Sequence, residues 1–241
     1  MTPEEAAEAT AGAVGTLSSH FMLDGSTYAK GGEMGFDGMD FYVAGRGGVL
    51  GDVDGDVVSA AFVFFEPHTV RQRWESSRPV MSRADAGAAF ARCGHEWARE
   101  HLPDELDWNR VAELAGEVVA RANPAGAPVF AGWRRLPVPD DDKARALHQL
   151  NALRELRMGM HGASVIAAGI APLEALMVRT PYMAGLFGWD EPHPDPEPAR
   201  AAWEQAEAAT NRAFGAHLAA LDDSARKELV RLLADAQAAT G

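Results

Sequence analysis

The stretch KARALHQLNALRELRMGMHGASVIAA, Lys143 to Ala168, decides the fold. It reads as the longest helix of the chain. A proline-containing connection, Leu136 to Asp142, leads into it and Gly169 ends it, as proline and glycine commonly bound helices. Leu150, Leu153, Leu156 and Met160 recur along one side at helical spacing. Arg154, Arg157 and His161, three and then four positions apart, gather on another face. Outward from this helix the same period returns. Trp108 to Ala122 is predicted as a helix stopped by Asn123-Pro124-Ala125-Gly126. Ser82-Arg83-Ala84-Asp85 caps another, in which Ala89, Phe90, Cys93 and Trp97 repeat. Pro3 to Leu23 opens on Thr2 as N-cap, with proline at the first helical position and Glu4 and Glu5 in the first turn. Beyond Gly169, Pro172 starts a short helix, and prolines at 192, 194, 196 and 198 predict an extended linker. Two amphipathic helices follow, about Ala199 to Leu221 and Asp223 to Ala239.

Two segments read less regularly. Gly45-Arg46-Gly47-Gly48-Val49-Leu50-Gly51 holds four glycines in seven residues and predicts an irregular turn. Val57 to Val70 suits a buried strand by composition or a buried helix by length. Helix is the expectation, because no other segment offers a partner strand. The expected fold is therefore all-α. A multi-helix ligand-binding domain covers residues 1–186, a linker covers 187–198, and a helical pair covers 199–241. Leu218, Leu221, Leu229, Leu232 and Leu233 on that pair have little chain left to cover them, so a homodimer is expected.

The chain has 241 residues, enough for one or two domains, and 47% of them are hydrophobic. Its single cysteine, Cys93, forms no intramolecular disulfide, which favours a reducing compartment. The start, MTPEEAAEATAGAVG, lacks the basic and apolar regions of a signal peptide. The longest apolar runs, such as Val57 to Phe65, are about half a membrane span, so a soluble, cytoplasmic protein without membrane contact is expected. The formal net charge is −13, from 35 acidic and 22 basic residues, and no run of Lys and Arg exceeds two. That balance opposes nucleic acid as a partner, since phosphate neutralisation supplies most non-specific affinity.

Strong motifs are absent. Asp52-Val53-Asp54-Gly55-Asp56 resembles the start of a calcium loop, but the sixth and twelfth positions are Val57 and Val63, so it reads as a solvated acidic turn. HExxH, CxxC and GxSxG are missing, and neither a metal nor a cofactor is implied. The arginine–histidine face of the long helix suits an anionic group, because guanidinium binds carboxylate or phosphate bidentately. Glu66-Pro67-His68 follows an apolar run, and the proline breaks the element where residues often face a pocket. The expected partner is a small organic, anionic ligand held by Arg46, Arg154 and Arg157. His161 and His68 hydrogen-bond it, or act on it as acid and base, and Phe64, Phe65 and Trp133 form the apolar wall.

Four stretches carry a family resemblance: FYVAGRGGVLG from Phe41, FFEPHTV from Phe64, ANPAGAPVFA from Ala122, and LRELRMGMHGASVIAAGIAPLEALM from Leu153. In order and spacing they resemble an actinobacterial helical family described as helix-turn-helix-like. In that family the long helix typically carries two histidines. Here Leu156 stands at the first, while Arg154, Arg157 and His161 match. The resemblance implies a helix-turn-helix over His161 to Val178 and a winged-helix part that is degenerate in this chain. The final segment, DDSARKELVRLLADAQ, looks like the dimer-pairing C-terminal helix of MarR-type regulators. The functions it leaves open are a small-molecule binder that does not bind DNA, a cofactor-independent isomerase, cyclase or lyase of a biosynthetic pathway, and a ligand-responsive transcriptional regulator.

Overall fold

The computed structural model describes residues 1–240 and contains twelve α-helices and no strand among them. The helices are α1 (Pro3–Leu23), α2 (Gly25–Glu33), α3 (Met39–Gly48), α4 (Gly55–Ala61), α5 (Pro67–Ser76) and α6 (Arg83–His101). They continue with α7 (Trp108–Arg121), α8 (Pro128–Trp133), α9 (Asp142–Ala167), α10 (Pro172–Arg179), α11 (Arg200–Leu218) and α12 (Asp223–Thr240). Helix starts follow the sequence. Thr2 and Glu5 form a capping box on α1, Ser82 accepts from the Asp85 amide on α6, and Asp141 accepts from the Ala144 amide on α9. α9 runs through the middle, against α1, α6, α7, α8 and α11. Its leucines, Leu147, Leu150, Leu153 and Leu156, are at most 1% exposed. No single helix among the described residues is long and apolar enough to cross a membrane.

Three expectations are corrected. The glycines of 45–48 belong to α3 rather than to an irregular turn. A Cβ at Gly45 would lie 2.5 Å from Phe90 Cβ, and one at Gly48 would lie 2.2 Å from the Arg83 carbonyl oxygen. The glycines let α3 press against α6, and that contact offsets their poor helix propensity. Residues 57–70 are not one helix. α4 ends at Ala61, Val63 takes a left-handed backbone at φ 29°, and α5 begins at Pro67. The break keeps Phe62 and Phe65 together against Tyr42 and turns Phe64 toward His161. Finally, the five C-terminal leucines are not left uncovered. They are 0–6% exposed, because α11 packs on α1 and α9, and α12 on α1 and α7. A leucine stripe reports burial without naming what covers it.

α9 and α10 meet at 115° across residues 168–171, where Gly169 sits at φ 74°. Two helices at this angle, joined by a four-residue turn that contains glycine, have helix-turn-helix geometry.

Candidate functional site

The inner side of this corner opens into a cleft between α1, α9, α10 and residues 180–187. Its larger chamber holds about 400 Å³, and a smaller one of about 180 Å³ shares Arg154, Met158, His161 and Arg179 with it. α1 leaves room by presenting Ala11, Gly12 and Gly15, and a Cβ on Gly15 would meet no atom within 4 Å. The far wall is apolar: Met22, Met39, Phe64, Leu176, Met183 and Phe187. Methionine is adaptable in shape, so such a wall fits itself to an irregular body.

The polar end is built on α9. Arg154, Arg157 and His161 all line the smaller chamber, as their spacing predicts, and α10 adds Arg179. Each α9 arginine has a carboxylate partner within the chain. Arg157 pairs with Glu207 of α11 and donates to Asn211 Oδ1 at 2.9 Å. Arg154 donates to Glu155 Oε1 at 2.7 Å. Glu155 also holds Arg46 bidentately, from Nε at 2.8 Å and a terminal nitrogen at 2.7 Å. The Arg46 and Glu155 side chains are 3% and 1% exposed. Burial alone would raise the Glu155 carboxyl's pKa, but the charges and hydrogen bonds of Arg46 and Arg154 outweigh it and hold the group below the ordinary carboxylate range. Arg179 has no carboxylate partner among the described residues. The smaller chamber is therefore lined by three guanidiniums, Arg154, Arg157 and Arg179, and one carboxylate, Glu207, with Glu155 buried behind Arg154, a local excess of positive charge in a chain whose net charge is −13.

His161 lies under the Phe64 ring, with centroids 5.3 Å apart. Its Nδ1 is 3.1 Å from Thr210 Oγ1 and 3.4 Å from Glu207 Oε2. Burial pushes the imidazole pKa down. Glu207 opposes that shift, while Arg157 and Arg179 add to it.

The other expected site residues lie elsewhere. Arg46 is enclosed in the core, with its guanidinium 4.3 Å over the Phe62 ring, so it anchors Glu155 and does not reach the cleft. Phe65 is sandwiched between Tyr42 and Phe187 and backs the wall one layer behind Phe187. Trp133 is 2% exposed and sits beside His148, away from the cleft. His68 is exposed at the start of α5, where its backbone amide donates to the capping carboxylate of Glu66. Arg179, Glu207 and Thr210 were missed. They come from other helices, and only the turn signals around Gly169 hinted that α10 folds back on α9.

A family model described as a helix-turn-helix family matches residues 7–196. No curated protein and no solved structure matches the chain.

Proposed function

The chain belongs to a helix-turn-helix family, and we propose that within it this protein is a small-molecule binder whose cleft at the α9–α10 corner takes an amphipathic organic anion. The excess of guanidinium over carboxylate at one end of an otherwise apolar cleft carries the reading. Arg154 gives one donor to Glu155, which leaves the rest of its fork for a ligand, and Arg179 is wholly free to close on the anion from α10. Arg157 is already matched by Glu207, so its role is to hold α11 and His161 in place. A volume near 400 Å³ lies in the range of small-molecule sites, which pair an apolar lining with a few convergent polar groups.

The helix that would read DNA argues against a nucleic-acid role. α10 carries one basic residue, Arg179, one acid, Glu174, and otherwise apolar side chains. Ala175 and Leu176 are buried, toward the cleft. Base readout and phosphate contacts call for polar and basic groups on that helix.

One observation favours an enzymatic version of the same reading. An imidazole backed by a carboxylate and set beside free guanidinium is the arrangement of a general base next to a group that stabilises developing negative charge.

The test is a thermal-shift and calorimetric survey of carboxylates with alkyl and aryl bodies, on the wild type and on Gly15→Leu. Nothing opposes a side chain at Gly15, so the variant should fold while its leucine fills the cleft. Acids that bind the wild type should not bind it. Equal binding to both proteins would remove the cleft from the function.

A further inference from the structure

The hydrogen-bond polarity of His161 says what the ligand carries besides its anion, a step that rests on the anion-binding reading of the cleft. Thr210 Oγ1 gives its single proton to the Ala206 carbonyl oxygen, 2.7 Å away within α11. Toward His161 Nδ1, at 3.1 Å, the same oxygen can only accept. The second neighbour of Nδ1 is Glu207 Oε2 at 3.4 Å, another acceptor. Nδ1 therefore carries the ring proton. In the neutral imidazole, which burial favours here, the lone pair is left on Nε2. That nitrogen has no hydrogen-bond partner among the described residues, and the ring it belongs to lines both chambers of the cleft.

The polar end thus offers two kinds of contact. Arg154 and Arg179 supply cationic donors, and His161 Nε2 supplies one neutral acceptor. A plain carboxylate satisfies the first, but where its body covers Nε2 it displaces water from an acceptor that it cannot answer, and that loss weakens binding. We propose that the ligand is a hydroxycarboxylic acid with an apolar body: its carboxylate on Arg154 and Arg179, its hydroxyl donating to His161 Nε2, and its body against Met22, Phe64 and Leu176. Glu207 and Thr210 are positioning residues, which fix the tautomer that makes Nε2 the acceptor.

Matched probes test this. Calorimetry would compare 2-hydroxydecanoate with decanoate, and mandelate with phenylacetate. On the wild type the hydroxy acid of a pair should bind about tenfold more tightly, the worth of one well-made hydrogen bond. On His161→Phe the two should agree within about twofold, while Arg154→Gln and Arg179→Gln should weaken both members of a pair together. Long-range ¹H–¹⁵N NMR on the wild type reads the tautomer directly and needs no variant to fold. It should find the His161 proton on Nδ1. Equal binding of hydroxy and plain acids, or a proton on Nε2, overturns the hydroxyl assignment and leaves the anion site standing. No binding by any probe, or binding indifferent to both arginines, overturns the anion reading and this inference with it.

Discussion

Glu155 holds two guanidiniums at once, so replacing it with leucine asks the most of how the site is built. In the Glu155→Leu variant Arg46 keeps its charge in the core, where its side chain is 3% exposed and its remaining neighbours include the Phe62 and Tyr42 rings at 4.3 and 5.9 Å. Breaking a buried ion pair from one side costs about 3–5 kcal/mol, because the surviving charge is left uncompensated. In a domain of this size each kcal/mol lowers the melting temperature by about 2–4 °C, so the drop should be on the order of 6–20 °C. Arg154 adds little to that loss, since its side chain is 14% exposed and can turn to water. Removing both charges, in Arg46→Met/Glu155→Leu, should restore most of the stability, as apolar replacements of buried pairs are often neutral or better. Urea unfolding of the wild type, both single variants and the double variant closes the cycle, with an unchanged denaturant slope as the sign that only stability has moved. The pH dependence has a definite sign. The folded pKa of Glu155 lies below its unfolded value, so its contribution is present above the ordinary carboxylate range and is lost as pH falls through the folded value. A loss under about 1 kcal/mol for Glu155→Leu, against the ~3–5 kcal/mol of a broken buried pair, or a double variant no better than the sum of its singles, would contradict a mutually compensating Arg46–Glu155 pair.

Three further outcomes are expected. Gly48→Ala places a Cβ 2.2 Å from a backbone oxygen of α6, so it should cost at least the ~1–3 kcal/mol of an overpacked core, and unchanged unfolding would disprove the close α3–α6 approach. Gly15→Leu should leave the melting temperature level or higher, since it replaces a helical glycine with open space beside it, and a clear loss of stability would mean that the cleft is closed at that point. His95 and His148 touch at 3.1 Å, and burial above all pushes both from 6.5 down to about 4. Their folded values lie below the unfolded ones, so the stability they contribute is complete above pH 6.5 and drains as pH falls toward 4. Urea midpoints measured across that window should flatten in His148→Gln, and an unaltered slope would show that the pair does not titrate there.

Much of the fold was legible where the chain punctuates itself. α1 and α6 begin at Thr2 and Ser82, whose side chains cap the first turn as expected, and the apolar period carries α7 and α9. α3 was not legible, because its glycines are poor helix formers and only contact with Phe90 and Arg83 makes them the right residues there. For the site, spacing along one helix put Arg154, Arg157 and His161 on one face, and all three line the smaller chamber. It could not say that Glu155 reaches back 109 positions to Arg46, or that α11 answers with Glu207 and Thr210. Those pairings are tertiary, and the local period carries no trace of them. Arg46, expected at the ligand, stands among glycines that draw the helices close enough to bury it.

Native mass spectrometry of the protein purified from its own host reads what the α9–α10 cleft holds. The wild type should carry a small organic acid of defined mass that is released on unfolding. Gly15→Leu and the Arg154→Gln/Arg179→Gln pair, each shown to be folded by circular dichroism, should carry none. The same mass retained by the folded variants would place the ligand outside the α9–α10 cleft and contradict the assignment.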